Sequence, residues 1–184
     1  MRLGVDIDGV VADSYPFWLG ELNRYYGKDI KAIHRYEMHL IFDVPWEHMN
    51  QFFVANVENL FMAPTPMPGA RTALAKLSIE HEIILVTARR EVEEEITRRW
   101  LELHQIPFTK LMVVGDRSKA EVCAEEGIDL FVEDYAINAA LIAASGMPVL
   151  ILDATYNRVE LPQNVIRCYN WGQIYQTILK LGAQ

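Results

Sequence analysis

Leu3-Gly4-Val5-Asp6-Ile7-Asp8-Gly9-Val10-Val11-Ala12-Asp13 begins as a short apolar run and then delivers two acids two residues apart. Val, Ile and Leu without strict polar alternation mark a strand buried on both faces of a sheet. Four further runs share that character: Ile83–Val86, Leu111–Val114, Leu130–Val132 and Val149–Leu152. Helical patterns lie between them. Gly69–Ser78 reads as a helix leading to the second strand. Glu91–His104 spaces Val92, Ile96, Trp100 and Leu103 for one helical face, with Glu94/Arg98 and Glu95/Arg99 as i,i+4 pairs on the other. Arg117–Glu126 stops at Gly127, Ala136–Ser145 stops at Gly146 before Pro148, and Trp171–Leu181 closes the chain as an amphipathic helix. This alternation predicts an α/β fold, a three-layer α/β/α parallel sheet with right-handed crossovers.

Residues 15–67 interrupt the rhythm. They follow the first strand with some fifty residues that hold Tyr15, Phe17, Trp18, Tyr25, Tyr26, Tyr36, Phe42, Trp46, Phe52, Phe53 and Phe61, and they end at Pro64, Pro66 and Pro68. Phe17–Tyr26 and Trp46–Asn56 carry helical patterns. An insertion directly after the first strand sits above the carboxyl end of the sheet, where open α/β folds bind ligands. The expected division is therefore a core of residues 1–14 and 68–184 with a helical cap of 15–67. A helical elaboration of the core is the alternative.

Composition narrows the classes. The chain has 184 residues, 51% hydrophobic, with Lys+Arg 17 against Asp+Glu 25 and a net charge of −8. That is too apolar for disorder and too acidic for general binding to a nucleic-acid polymer. No run approaches a membrane span, and Asp6 falls inside the stretch a secretory leader would need apolar. Cys123 and Cys168 fit no metal-ligand or disulfide spacing. A soluble cytoplasmic protein with no membrane partner is the expectation.

The chemistry concentrates at strand ends. Asp6 and Asp8 repel unless a cation or proton compensates, and hard carboxylate oxygens suit Mg²⁺. The second strand ends in Val86-Thr87-Ala88-Arg89, which brings a hydroxyl, adjacent N–H groups and a guanidinium able to grip phosphate. Gly115-Asp116-Arg117-Ser118-Lys119 follows the third strand, and Glu133-Asp134 ends the fourth. Each group taken singly reads equally well as a turn acid, a helix cap or a solvated charge. In a parallel sheet all four loops open on one end, so their joint occurrence points to a single site. A carboxylate nucleophile, a Lys, a divalent cation and a second carboxyl group together suit phosphoryl transfer.

The ordered set Asp6-Ile7-Asp8-Gly9-Val10-Val11-Ala12-Asp13, Thr87, Lys119 and Glu133-Asp134 resembles the haloacid dehalogenase-like hydrolases, which have a Rossmann-like core. Within them the chain is most similar to the small 5′(3′)-deoxyribonucleotidases and their bacterial relatives. Chain length, Met67-Pro68-Gly69-Ala70, Thr87-Ala88-Arg89 and Asp153-Ala154-Thr155-Tyr156-Asn157-Arg158 carry that second resemblance. It implies Asp6 as nucleophile and Mg²⁺ ligand, and Asp8 as general acid/base lending its backbone carbonyl to the metal. It further implies Thr87 and Lys119 on the phosphoryl group, with Gly9, Ala88 and Arg89 beside it. Asp134 completes the metal site, and Glu133 acts either through a metal-bound water or as a structural partner. Ser14 stands where characterised deoxyribonucleotidases carry an aromatic; Phe17, Trp18, Tyr36, Phe42, Trp46 or Phe53 could supply that wall instead. The expected activity is Mg²⁺-dependent phosphomonoester hydrolysis through an aspartyl-phosphate, with a nucleoside monophosphate as small phosphorylated substrate. A phosphatase or phosphotransferase for another metabolite such as a sugar phosphate is the alternative, and a phosphate-binding regulatory module the non-enzymatic one. A homodimer built on an exposed cap aromatic stays open.

Overall fold

Alternate residues of each central strand leave the sheet on opposite sides, and here both sides are apolar. In the computed structural model, which describes residues 1–182, β1 (Arg2–Val5), β2 (Glu82–Thr87), β3 (Lys110–Val113), β4 (Leu130–Glu133), β5 (Val149–Leu152) and β6 (Val165–Cys168) form one parallel sheet of order β3-β2-β1-β4-β5-β6. Leu3, Val5, Ile83, Leu85, Leu130, Val132, Leu150 and Leu152 bury one face against α5 (Ala70–Leu77), α6 (Glu94–Leu103) and α9 (Trp171–Gly182) through Leu74, Trp100 and Trp171. Ile84, Val86, Phe131, Val149 and Ile151 bury the other against α7 (Lys119–Glu125) and α8 (Ala136–Ala143) through Val122, Cys123 and Ile142. Three layers result. Gly4 belongs at the centre of β1 because a Cβ there would lie 2.3 Å from the Phe131 ring.

Two neighbours flank β1, which pairs with β2 from Arg2↔Glu82 to Val5↔Leu85 and with β4 from Leu3↔Leu130 to Val5↔Val132. The carboxyl ends of β1, β2 and β4 therefore lie side by side, and the backbone N–H of Asp6 still donates to Val132 O at 3.0 Å. This register positions the site.

Between β1 and α5 run α1 (Ser14–Tyr26), α2 (Met38–Ile41), α3 (Trp46–Ala55) and α4 (Val57–Met62). They close on an apolar cluster of their own, with Trp18, Leu22, Phe42, Met49, Phe52, Leu60 and Phe61 buried together with Ile96 of α6. Trp18 and Phe42 are thus used in packing, whereas Trp46 is 58% exposed.

Some local expectations need correction. β6 was not expected: Val165-Ile166-Arg167-Cys168 is a half-buried edge strand whose polar residue breaks the apolar run. α2 and α4 were also missed, being too short for a periodic signal, and α1 begins at Ser14 rather than Phe17. In α6 the buried residues are Ile96, Thr97, Trp100 and Leu101, while Val92 and Leu103 are exposed. A short 3₁₀ turn over Glu91–Glu93 turns Val92 off the helical face. Glu94 pairs with Arg98 as expected, but Arg99 reaches across to Glu58 of α4 at 2.8 Å. No described helix is long and apolar enough to cross a membrane.

Candidate active site

Asp6 lies one residue beyond β1 and is buried. Lys119, the first residue of α7, sets its Nζ 2.8 Å from Asp6 Oδ1 and 3.0 Å from Glu133 Oε2. Glu133 ends β4, and its other oxygen also accepts from Asn138 Nδ2 at 3.0 Å. Asp134 follows. Asp6, Glu133 and Asp134 each bring a carboxylate oxygen to within 4.8 Å of the others, and all three are buried. Three acids thus face one ammonium.

The electrostatics follow from that count. Burial, aided by the charges on Glu133 and Asp8, pushes the Asp6 carboxyl up to about 7 against the pull of Lys119. Burial raises Asp134 well above the carboxylate range too, with Asp6 and Glu133 adding to it. Lys119 is held above its ordinary value, because Asp6 and Glu133 outweigh the cost of its burial. Asp134 Oδ1 is buried without a hydrogen-bond partner among the described residues. An excess of converging hard oxygens, one of them orphaned, fits a divalent cation of the Mg²⁺ kind. Asp6 and Asp134 would hold it directly. Glu133, occupied by Lys119 and Asn138, also holds the lysine in place.

Asp8 occupies a different corner. Arg89 Nε donates to its Oδ2 and Arg89 Nη2 to its Oδ1, both at 2.8 Å, and Ser14 Oγ donates to Oδ1 at 2.6 Å. Burial alone would raise this carboxyl, but Arg89 and Ser14 prevail and hold it below the usual range. The Arg89 guanidinium also donates to Thr97 Oγ1 at 3.0 Å and lies 4.0 Å from the centre of the Phe61 ring, so α4 and α6 both fix it. Arg89 was expected beside the phosphate. In the structure its charge is paired with Asp8, a partner eighty-one positions away that no local sequence pattern marks.

The remaining expected residues line the same rim. Thr87 ends β2, is buried, and accepts from the Arg89 N–H at 3.3 Å. Ala88 lines a cavity of about 310 Å³ with Gly115, Ser118, Lys119 and Asn138. Gly9 adopts φ +81°, and a Cβ there would fall 2.1 Å from Asp134 Oδ2. This position is thus a glycine because the Asp134 carboxylate packs against the turn.

Tyrosines cover the acids. Tyr15, Tyr36 and Tyr156 cluster, with Tyr15 and Tyr156 centroids 4.9 Å apart, and Tyr36 stacks on Tyr135 at 3.7 Å. Tyr135 OH donates to Glu37 Oε1 at 2.9 Å, and Tyr156 OH donates to Asp134 Oδ2. Burial, and then the charge of Asp134, raises both Tyr36 and Tyr156. In the sequence Tyr36 stands out only as one of several aromatics, and no local pattern marks Asn138, Thr97 or Tyr135.

The whole chain, residues 1–184, matches the family described as 5′ nucleotidase, deoxy (pyrimidine), cytosolic type C. A nucleotidase of Clostridium acetobutylicum is 32% identical over 183 residues, covering 98% of this chain and 95% of the relative. Among solved structures, a HAD-superfamily hydrolase of subfamily IA from Geobacter sulfurreducens superposes with a TM-score of 0.63 at 20% identity, covering 98% of each chain. A haloacid dehalogenase-like hydrolase from Streptococcus pneumoniae gives 0.69 at 11% identity, covering 96% of this chain and 97% of that one. These two likenesses concern the fold.

Proposed function

The chain belongs to the cytosolic type C family of deoxy (pyrimidine) 5′ nucleotidases, and from that premise we propose that it hydrolyses nucleoside monophosphates with Mg²⁺ through an aspartyl-phosphate on Asp6. The observation that carries the reading is the Asp6 carboxylate at the end of the central strand, 2.8 Å from Lys119 and grouped with Asp134. Attack on phosphorus needs a carboxylate whose charge is balanced, and Lys119 supplies part of that balance. Mg²⁺, when bound by Asp6 and Asp134, offsets the remaining repulsion between the carboxylate and the phosphoryl oxygens.

An Asp6 oxygen forms the bond to phosphorus while the bond to the ester oxygen breaks, and Asp8 gives its proton to the departing alcohol. In the structure both Asp8 oxygens are held by Arg89. Proton donation therefore requires this carboxylate to turn from the guanidinium, which removes what keeps its proton affinity low, and to take up a proton from solvent before it meets the leaving oxygen. Asp8 then takes a proton from water as the water oxygen attacks phosphorus. The bond to Asp6 breaks, releasing inorganic phosphate and restoring both carboxyl groups. Residues 15–67 serve as the cap: α1–α4 enclose their own core, and Tyr36 and Tyr15 reach from them over the acids.

Asp6→Asn is expected to lower phosphate release by on the order of 10³-fold or more while the protein stays folded. Turnover near that of the unaltered protein would refute the nucleophile assignment. A panel of nucleoside monophosphates, deoxynucleotides and sugar phosphates, read by phosphate release with Mg²⁺, tests the substrate class. Selective release from nucleotides supports the proposal, and release from sugar phosphates alone overturns it.

A further inference from the structure

We propose that Tyr156 is a positioning residue for the metal ligand Asp134, pinning one carboxylate oxygen so that the other is presented to the cation. The proposal rests on reading Asp134 as a ligand. Tyr156 lies in a short 3₁₀ turn, Thr155–Asn157, just beyond β5, next to β4 in the sheet. Its hydroxyl donates to Asp134 Oδ2, and Oδ1 of the same carboxylate is the buried atom left without a partner. One oxygen is satisfied by the protein and the other is kept available. A buried carboxylate without such a donor could present either oxygen or turn its edge away, and the penalty for leaving it unpaired would favour doing so.

The turn carrying Tyr156 is held firmly. Asn157 is fully buried and donates from Nδ2 to Asp134 O at 2.7 Å and to Leu152 O at 2.8 Å. It ties the backbone of the ligand to the end of β5. Arg167 of the edge strand β6 in turn donates to Asn157 Oδ1 at 2.6 Å and Asn157 O at 2.8 Å, and pairs with Asp153 at 2.9 Å. The Tyr156 ring is packed by Tyr15 and Tyr36, which fixes its direction. Strand β6, far from the acids in sequence, thereby acts on Asp134 through two adjacent residues. A tyrosine used only for packing would need neither its hydroxyl nor this bracing.

Tyr156→Phe keeps the ring and removes the donor. Titration calorimetry with Mg²⁺ alone, without substrate, is expected to show affinity about tenfold weaker than the unaltered protein. Activity should then require correspondingly more Mg²⁺, with kcat restored at saturating metal. Equal Mg²⁺ affinity in Tyr156→Phe overturns the proposal. Asp134→Asn run alongside separates the two levels. If it abolishes Mg²⁺ binding while Tyr156→Phe does not weaken it, the positioning role falls and the metal reading stands. If Asp134→Asn binds Mg²⁺ as before, the metal reading falls and the positioning role with it.

Discussion

Two corners of the same rim treat their carboxylates in opposite ways. At one, Asp8 meets Arg89 through two hydrogen bonds and Ser14 through a third, so its charge is matched within the protein. At the other, Lys119 pairs with Asp6 and Glu133 but not with Asp134, and among the described residues one Asp134 oxygen has no hydrogen-bond partner. The first corner is complete, and its carboxyl is held low. The second carries surplus negative charge in a buried place, and its Asp6 and Asp134 carboxyls are pushed up. A buried surplus of charge is costly unless something outside the chain relieves it. The proposal of a cation at the second corner, and not at the first, rests on this difference.

Breaking the matched corner should cost most. Arg89→Met leaves Asp8 buried without its partner, with an expected loss of about 3 kcal/mol in urea unfolding; adding Asp8→Asn should recover much of it. If Arg89→Met alone unfolds like the unaltered protein, the corner is not charge-matched in the sense described.

Relieving the surplus should do the reverse. Asp134→Asn removes one buried acid, so the metal-free protein should melt roughly 2–4 °C higher, the shift about 1 kcal/mol gives in a chain of this size. The same change should abolish the rise in Tm expected from Mg²⁺ under the proposed function. A lower Tm without metal would contradict the surplus.

Acidity sharpens the contrast further. Because burial lifts Asp6 to about 7, the folded protein holds a proton that the unfolded chain has already lost above the ordinary carboxylate range. Stability without metal should accordingly fall as pH climbs from about 4 to about 7, and Asp134 acts in the same direction. If Mg²⁺ binds there as proposed it must displace those protons, so the Mg²⁺-induced rise in Tm should be larger at about pH 8 than at about pH 5. Thermal melts at the two pH values with and without Mg²⁺ read this directly, and an equal rise at both would count against it.

A pair outside both corners gives the smallest effect. Arg99 and Glu58 join α6 to α4 with both side chains more than half exposed. Arg99→Ala should change stability by less than about 1 kcal/mol. A larger loss in urea unfolding would show that exposed pairs here matter as much as the enclosed ones.

How far the sequence reached is clearest in particular residues. The apolar runs foretold five of the strands and the three layers, because a parallel sheet covered on both faces leaves no other use for continuous Val, Ile and Leu. β6 escaped because an edge strand with Arg167 is only half buried. Asp6, Asp8, Thr87, Lys119, Glu133 and Asp134 were legible as strand-end residues, and a parallel topology gathers strand ends by itself. Which acid meets which base was not legible. The Arg89–Asp8 pair and the contact of Tyr156 with Asp134 join positions 81 and 22 residues apart.

By its own pattern of apolar runs and acids, the chain determined the sheet, its layers and the end at which the chemistry gathers. Only the tertiary structure decided that Arg89 neutralises Asp8, that Asp134 keeps one oxygen unpartnered, and that Gly9 must be bare for the carboxylate packed against it. Local sequence governs whether a segment can be a strand or a helix. Hydrogen-bond partners are chosen by ångström-scale separations between side chains that meet only after the layers have packed.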